Sequence, residues 1–322
     1  MRDADYIYAV ASIRAKEKSL LNDSDIQTMV GMKTGEQVLS YLTERGWGEG
    51  ANVKDAEAVL EAEETKNMEL LEKLHVDPYI IEVLSYPELY HNLKAAVKVV
   101  CTGTEHSEAF YDSDVLDEKM LVTIIRDNEF EKLPEHMQAV AKDAKEVMLS
   151  TRDGQKCDIK IDRACLDATE LAAASKDKFL SEYAENKVAI TDIKIAVRAA
   201  ITHRSLEFIQ SALAPCKSFD VELLADAAAS GIEDVYTFLE KHGFKDAVDA
   251  IKESYSVFER WCDDYIMSTL MGQKTNIQSS GPIVAYYLAR QNEIRTARII
   301  ITAKANGFSE SVISERVRKM YG

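Results

Sequence analysis

The sequence predicts an all-α protein in three similar helical units, and three observations carry that reading. Strand-like alternation is scarce, whereas apolar residues recur at helical spacing along most of the chain. Only five prolines and thirteen glycines interrupt 322 residues. One segment also returns at a fixed interval: "YHNLKAAVKVV" (residues 90–100), "ITDIKIAVRAA" (190–200) and "RQNEIRTARII" (290–300). Aligning the apolar anchors Leu93, Ile193 and Ile294 gives steps of 100 and 101 residues, a period that marks repeated supersecondary units.

Each motif reads as a helix. Leu93, Ala96, Val97 and Val100 fall at i, i+3, i+4 and i+7, one face of a 3.6-residue period, and Ile193, Ala196, Val197 and Ala200 repeat that face. The third copy lies in the longest periodic stretch, which starts at Pro282, suited to a first turn, and stops at Asn306-Gly307. A polar residue precedes each anchor (Asn92, Asp192, Glu293), a basic one follows it (Lys94, Lys194, Arg295), and alanine sits three places on (Ala96, Ala196, Ala297).

The repeat extends upstream. "GEQVLSYLTERGW" (35–47) matches "GIEDVYTFLEKHGF" (231–244) in apolar positions and in its Gly-aromatic end. Gly46 precedes Leu93 by 47 residues and Gly243 precedes Ile294 by 51, which attaches each segment to the motif helix that follows it. "MLVTIIRDNEFEKLPEHM" (120–137) is a middle copy without the glycine. Boundaries near Glu105 and Ser205 then divide the chain into 1–105, 106–205 and 206–322. Glycine and polar clusters mark loops at 46–50, 101–106, 151–155 and 276–281.

Charge and composition narrow the functions. A net charge of −16 opposes nucleic-acid binding, which needs a basic face for phosphates, and opposes adhesion to anionic lipid. A basic protein partner stays open. No apolar run approaches the roughly 18 residues that span a bilayer. The opening "MRDADYIYAV" places Asp3 and Asp5 where a signal peptide is basic and then apolar, so a cytoplasmic chain is expected. Five widely spaced cysteines without a Cys-x-x-Cys pair fit free thiols in a reducing compartment.

Three kinds of chemistry remain to be weighed. Glu72/His75 and Glu88/His91 have the Glu-x-x-His spacing of di-iron bundles, but they lie sixteen residues apart with Pro78 and Pro87 between them, and the structural reading is preferred. "GQKT" at Gly272 lacks the glycine and Gly-Lys-Thr order of a phosphate loop, and "GWGEG" has no preceding strand, so both read as turns. The repeated basic residues have two readings. In one, each pairs with a neighbouring acid while alanine lets helices approach. In the other, Lys94/Lys98, Lys194/Arg198 and Arg295/Arg298 share helix faces and meet a partner.

At this level of detail the chain resembles the C subunit of archaeal and bacterial V/A-type ATPases, a central-stalk component whose counterpart is the d subunit of vacuolar ATPases. The likeness rests on "YIYAVASIRAKEKSLL", "YPELYHNLKAAVK", "AITDIKIAVRA" and, above all, the stretch from "GPIVAYYLARQNEIRTARIIITAKANG" to the C-terminal "YG", while residues 112–178 depart most. The resemblance implies a non-catalytic rotor component without cofactor or metal, its three helical domains forming a funnel about a pseudo-threefold axis. It implies a peripheral position on the cytoplasmic side of a membrane, with the axle subunits D and F in the cavity and the membrane rotor ring beneath, and a monomer when isolated. Lys94, Lys98, Lys194, Arg198, Arg295 and Arg298 are the expected partner contacts. The competing readings are a helical metalloenzyme of di-iron type and an unrelated helical adaptor, the latter expected to repeat every 30 to 50 residues.

Overall fold

A computed structural model describes residues 3–104, 110–111, 116–174, 177–277 and 279–322, and every regular element among them is helical. The expected boundary at Glu105, the loop residues Glu105 and His106, and Gln278 lie outside the described residues. The chain runs through α1 (Asp3–Glu17), α2 (Asp23–Gly31), α3 (Gly35–Glu44) and α4 (Ala56–Lys73). It continues with α5 (Pro78–Thr102), α6 (Glu118–Asp127), α7 (Glu135–Thr151), α8 (Gly154–Ala173), α9 (Lys178–Ile201), α10 (Leu206–Ala212), α11 (Val221–Ser230) and α12 (Ile232–Lys241). Last come α13 (Lys245–Glu253), α14 (Tyr255–Met271), α15 (Gly281–Ala305) and α16 (Glu310–Ser314). Two compact units result, one of residues 1–77 with 244–322 and one of residues 78–243.

Short polar side chains set where these helices begin. Asn22 accepts from the Ser24 and Asp25 amides while Asp25 reaches back to the Asn22 amide, a reciprocal capping box. Thr34, Asp55, Asp117, Asp153, Asp177, Ser205, Asp220 and Ser254 cap α3, α4, α6, α8, α9, α10, α11 and α14. Each cap satisfies amides that the helix leaves without carbonyl partners and contributes about 1 kcal/mol. Pro87 sits inside α5. It is exposed and removes one donor, but Val83, Leu84, Leu89 and Leu93 bury the helix on either side of it.

In the first unit α15 is the central element. Ile294, Ala297 and Ile300 pack with Ile26 and Met29 of α2, Val38 and Leu42 of α3, and Val59 and Leu60 of α4. The segment after α16 meets α2 here, since the Met320 amide donates to Asp23 Oδ1 (3.2 Å) and Tyr321 is buried. In the second unit Leu93, Ala96 and Val97 of α5 pack with Leu121 and Ile125 of α6, Met137 and Ala141 of α7, and Ile161 of α8. The other motif helix, α9, packs against α8, α10, α11 and α12.

This packing reverses one inference from spacing. The Gly-aromatic segment does not belong with the motif helix downstream of it. Residues 120–127 in α6 pack on α5, and α12 packs on α9, in both cases the motif helix that precedes them. By the same rule α15 needs following helices, and α2, α3 and α4 from the start of the chain fill that place. Sequence distance could not reveal this, because the third set is joined only through space.

The turn after α3 is fixed by Gly48. Its φ is +72°, and a Cβ there would lie 2.7 Å from Val59 Cγ2. Gly48→Ala combines left-handed strain with a core overlap, so a loss of about 2–4 kcal/mol is expected in urea unfolding of the variant.

Candidate functional site

The three motif positions before the anchors share one task. Asn92, Asp192 and Glu293 are all buried, on the apolar side of their helices. Asn92 exchanges two hydrogen bonds with the Tyr111 backbone: its Nδ2 donates to the carbonyl (2.8 Å) and its Oδ1 accepts from the amide (2.8 Å). Asp192 Oδ1 accepts from the Ala214 amide at 3.0 Å. Glu293 Oε1 accepts from the Leu21 amide at 2.5 Å. Each motif helix therefore pins the backbone of a connecting segment, and for Asp192 and Glu293 the amide held is buried and would otherwise be unsatisfied. The partner lies 19 residues downstream of Asn92 and 22 downstream of Asp192, but 272 upstream of Glu293.

Burial makes two of these pins titratable near neutrality. Desolvation raises the Asp192 carboxyl from 3.8 to about 7; the Ala214 amide and Arg163 oppose the rise, while Asp167 and Glu185 add to it. Its other oxygen, Oδ2, is buried and meets no hydrogen-bond partner among the described residues. Desolvation likewise raises Glu293 to about 7, even though Arg290 pulls the other way.

Around Glu293 the first unit holds a buried ion network. Arg290 Nη1 donates to Glu293 Oε2 at 2.7 Å, and its Nη2 donates to Glu63. Glu63 also accepts from the Gly48 amide at 3.1 Å, and the Arg290 guanidinium lies 4.3 Å from the centre of the buried Trp47 ring. Burial disfavours the arginine's charge, but the two carboxylates outweigh it and hold Arg290 cationic. The Gly-Trp-Gly turn thus forms a wall of this network. Lys66 also reaches Glu63 Oε1 at 3.4 Å, so two cations face the two carboxylates.

The six basic residues of the sequence reading are distributed unevenly. Lys94 pairs with Asp162 (2.7 Å) and Lys98 with Asp158 (2.8 Å), both acids on α8. Arg298 bridges Glu57 (2.6 Å) and Glu64 (3.2 Å) on α4. Arg295 is exposed and reaches Asp263 on α14 only at 3.7 Å. Lys194 is half-buried and engaged, and Arg198 is exposed. Each pair stays with its own motif helix, two pairs in the second unit and one in the first, and three of the side chains hold that helix to a neighbour.

The sites set aside from sequence have structural roles. "GQKT" is a 3-10 turn (Gly272–Thr275) whose Gln273 carbonyl accepts from Arg14 at 2.6 Å, and Lys274 lies over the Tyr321 ring. Glu72 is in α4, but His75 follows its end with φ +50°, so the two do not continue one helix face. Among the described residues no group of three or more His, Cys, Asp or Glu is placed to hold a metal ion. No described helix is long and apolar enough to cross a membrane. All five cysteines are free thiols, and burial pushes Cys157 up to about 11 and Cys165 up to about 12, far from thiolate reactivity.

What sequence reasoning missed was the role of Asn92, Asp192 and Glu293. The signal was present: each is a polar residue between alanines or leucines on a buried stripe, as with Leu89, Asn92 and Ala96, or Ala289, Glu293 and Ala297.

Fold and motif define a class, an all-helical protein built on a recurrent long helix with a buried polar pin. Within that class the chain belongs to the ATP synthase (C/AC39) subunit family, which matches residues 9–316. It is 22% identical over 320 residues to the C subunit of the V-type sodium ATPase of Enterococcus hirae, covering 96% of this chain and 97% of that one.

The pins give two expected outcomes. Asp192 binds its proton more tightly in the folded chain than in the unfolded one, so its contribution to stability is full below pH 3.8 and is lost as pH rises through about 7. Carrying the charged form costs roughly 4 kcal/mol relative to an unfolded aspartate. Asp192→Asn keeps the acceptor for Ala214 and cannot ionise; in urea titrations it should lose less stability than the native chain between pH 5 and pH 8. An unchanged slope would remove Asp192 as the titrating group. Glu293→Ala leaves Arg290 half-paired and the Leu21 amide without its acceptor, and should cost about 3–5 kcal/mol at pH 8.

Proposed function

We propose that this chain is the coupling component of a V/A-type rotary ATPase, joining the axle subunits D and F to the membrane rotor ring. In this reading it carries torque between nucleotide turnover in the soluble head and ion movement in the membrane sector, and it catalyses nothing itself. It sits peripherally on the cytoplasmic face and is a monomer when isolated. The observation that carries the reading is the family match across residues 9–316, supported by near full-length similarity to a protein named as the C subunit of a V-type sodium ATPase.

The coupling role asks for a stiff body with a central seat. We assign three helical repeats to that body, read from sequence as 1–105, 106–205 and 206–322 and arranged as a funnel about a pseudo-threefold axis. The equivalent pins at Asn92, Asp192 and Glu293 favour a threefold origin, because three chemically similar groups hold three connecting segments in the same way. A torque-bearing part also benefits from helices cross-linked by polar bonds, since buried hydrogen bonds resist sliding where apolar contacts allow it.

Lys94, Lys98, Lys194, Arg198, Arg295 and Arg298 are the proposed contacts with the axle. Arg198 and Arg295 are the members with the most exposed charge, and Lys94, Lys98 and Arg298 would have to exchange an internal acid for one on the partner. Pull-down of subunits D and F by the full chain tests the reading. Lys194→Glu with Arg198→Glu should weaken capture about tenfold or more while helix content and melting stay unchanged, and the loss should deepen as salt is lowered. Normal capture by a folded double variant would remove this pair from the interface, and no capture by the native chain would overturn the coupling role. Calorimetric titration with Mg-ATP should be flat, and saturable micromolar binding would contradict a part without a nucleotide site.

A further inference from the structure

The first unit carries a groove of about 430 Å³ whose lining includes four arginines, unusual on a chain of net charge −16. Arg295 and Arg298 come from α15, and Arg316 and Arg318 from the segment after α16. Two of the four are committed. Arg298 is held by Glu57 and Glu64, and Arg318 by Asp263 at 2.8 Å. The other two face outward. Arg295 has 59% of its side chain exposed, and Arg316 is exposed with its guanidinium 5.7 Å from the Phe308 ring centre. The lining also carries apolar surface, with Ile299, Ala303 and Phe308, the last 48% exposed.

We propose that this groove receives an acidic segment of a partner protein, its carboxylates on Arg295 and Arg316 and an apolar side chain against Ile299 and Phe308. A planar guanidinium takes a carboxylate through two parallel hydrogen bonds, and exposed arginine beside an aromatic ring is the composition of protein interfaces. The rim explains why the occupant is a peptide and not a free phosphate. Glu259 lines the same groove and Asp263 stands behind Arg295, so a compact dianion meets two carboxylates, whereas single charges spaced along a peptide can avoid them. An inorganic anion would also leave Phe308 uncovered.

This goes beyond the coupling role and does not rest on it, although Arg295 also stands among the proposed axle contacts. The groove lies wholly within the first unit and asks only for an acidic, partly apolar segment, whichever chain supplies it. The test uses the full chain and a fluorescein-labelled peptide of sequence Glu-Glu-Phe-Glu-Glu-Leu, followed by fluorescence anisotropy in about 50 mM salt. Saturable binding is expected, weaker by about fivefold or more in about 0.5 M salt. Arg295→Glu with Arg316→Glu should weaken it about tenfold, and Phe308→Ala about threefold. Arg316→Ala alone, which leaves the Arg318–Asp263 pair in place, should fold normally and still reduce affinity. Lys142→Glu, exposed on α7 in the other unit, should leave binding unchanged. Absence of saturable binding, retention of full affinity by the folded arginine variants, or displacement of the peptide by millimolar inorganic phosphate would each overturn the proposal. Because the Lys194/Arg198 variant tests axle capture separately, loss of one activity without the other distinguishes the two ideas.

Discussion

A polar side chain set into the buried face of a long helix is the constraint on which this architecture depends. In α5, α9 and α15 that side chain reaches a main-chain amide outside the helix and fixes the path of a connecting segment. Apolar packing alone is non-directional and would tolerate a helix sliding by a fraction of a turn. A buried amide with a single acceptor does not tolerate it, because a slip leaves both groups unsatisfied. The three versions differ in electrostatic character. Asparagine at 92 does the work without charge, whereas Asp192 and Glu293 bring carboxyls that burial holds near 7.

Glu293 has the densest support. Arg290, Glu63, Trp47 and the amides of Gly48 and Leu21 gather about it, so one site draws residues from four separate stretches of sequence. Such a network is poor at adding net stability, since desolvating three ionic groups offsets most of their attraction. It is strong at specifying geometry, because each partner is satisfied in one arrangement only. The same economy of positions explains the basic residues one place after each anchor, which sit at the rim where their charges meet acids of a neighbouring helix or solvent.

Much of the helical plan was legible in the sequence because long helices announce themselves by period and by their ends. α15 stops at Asn306-Gly307 as its residues indicate, and the anchors and alanines of all three motifs are buried together. What could not be read was partnership across distance. Spacing joined residues 35–47 to the next motif helix, whereas α3 packs on a helix nearly 250 positions later. Nor does one sequence distinguish a lysine that meets a partner from one that meets Asp162, because both need the same residue at the same rim position. The polar pins were visible but were read as flanking charge, since a lone acid on an apolar stripe has no local signature of what it will meet.

The meeting of α2 with the segment after α16 sets an order of events during synthesis. Leu21 waits for Glu293, Asp23 waits for Met320, and the cores of α2, α3 and α4 wait for α15. A ribosome therefore releases the first seventy-seven residues long before their core exists, while residues 78–243 emerge as a contiguous block that forms a compact unit of its own. The middle of the chain is free to fold as it appears, and the beginning must stay uncommitted until the final turns are made. Any early stop codon, even one removing only the last few residues, strikes the opening helices as directly as it strikes the C-terminus.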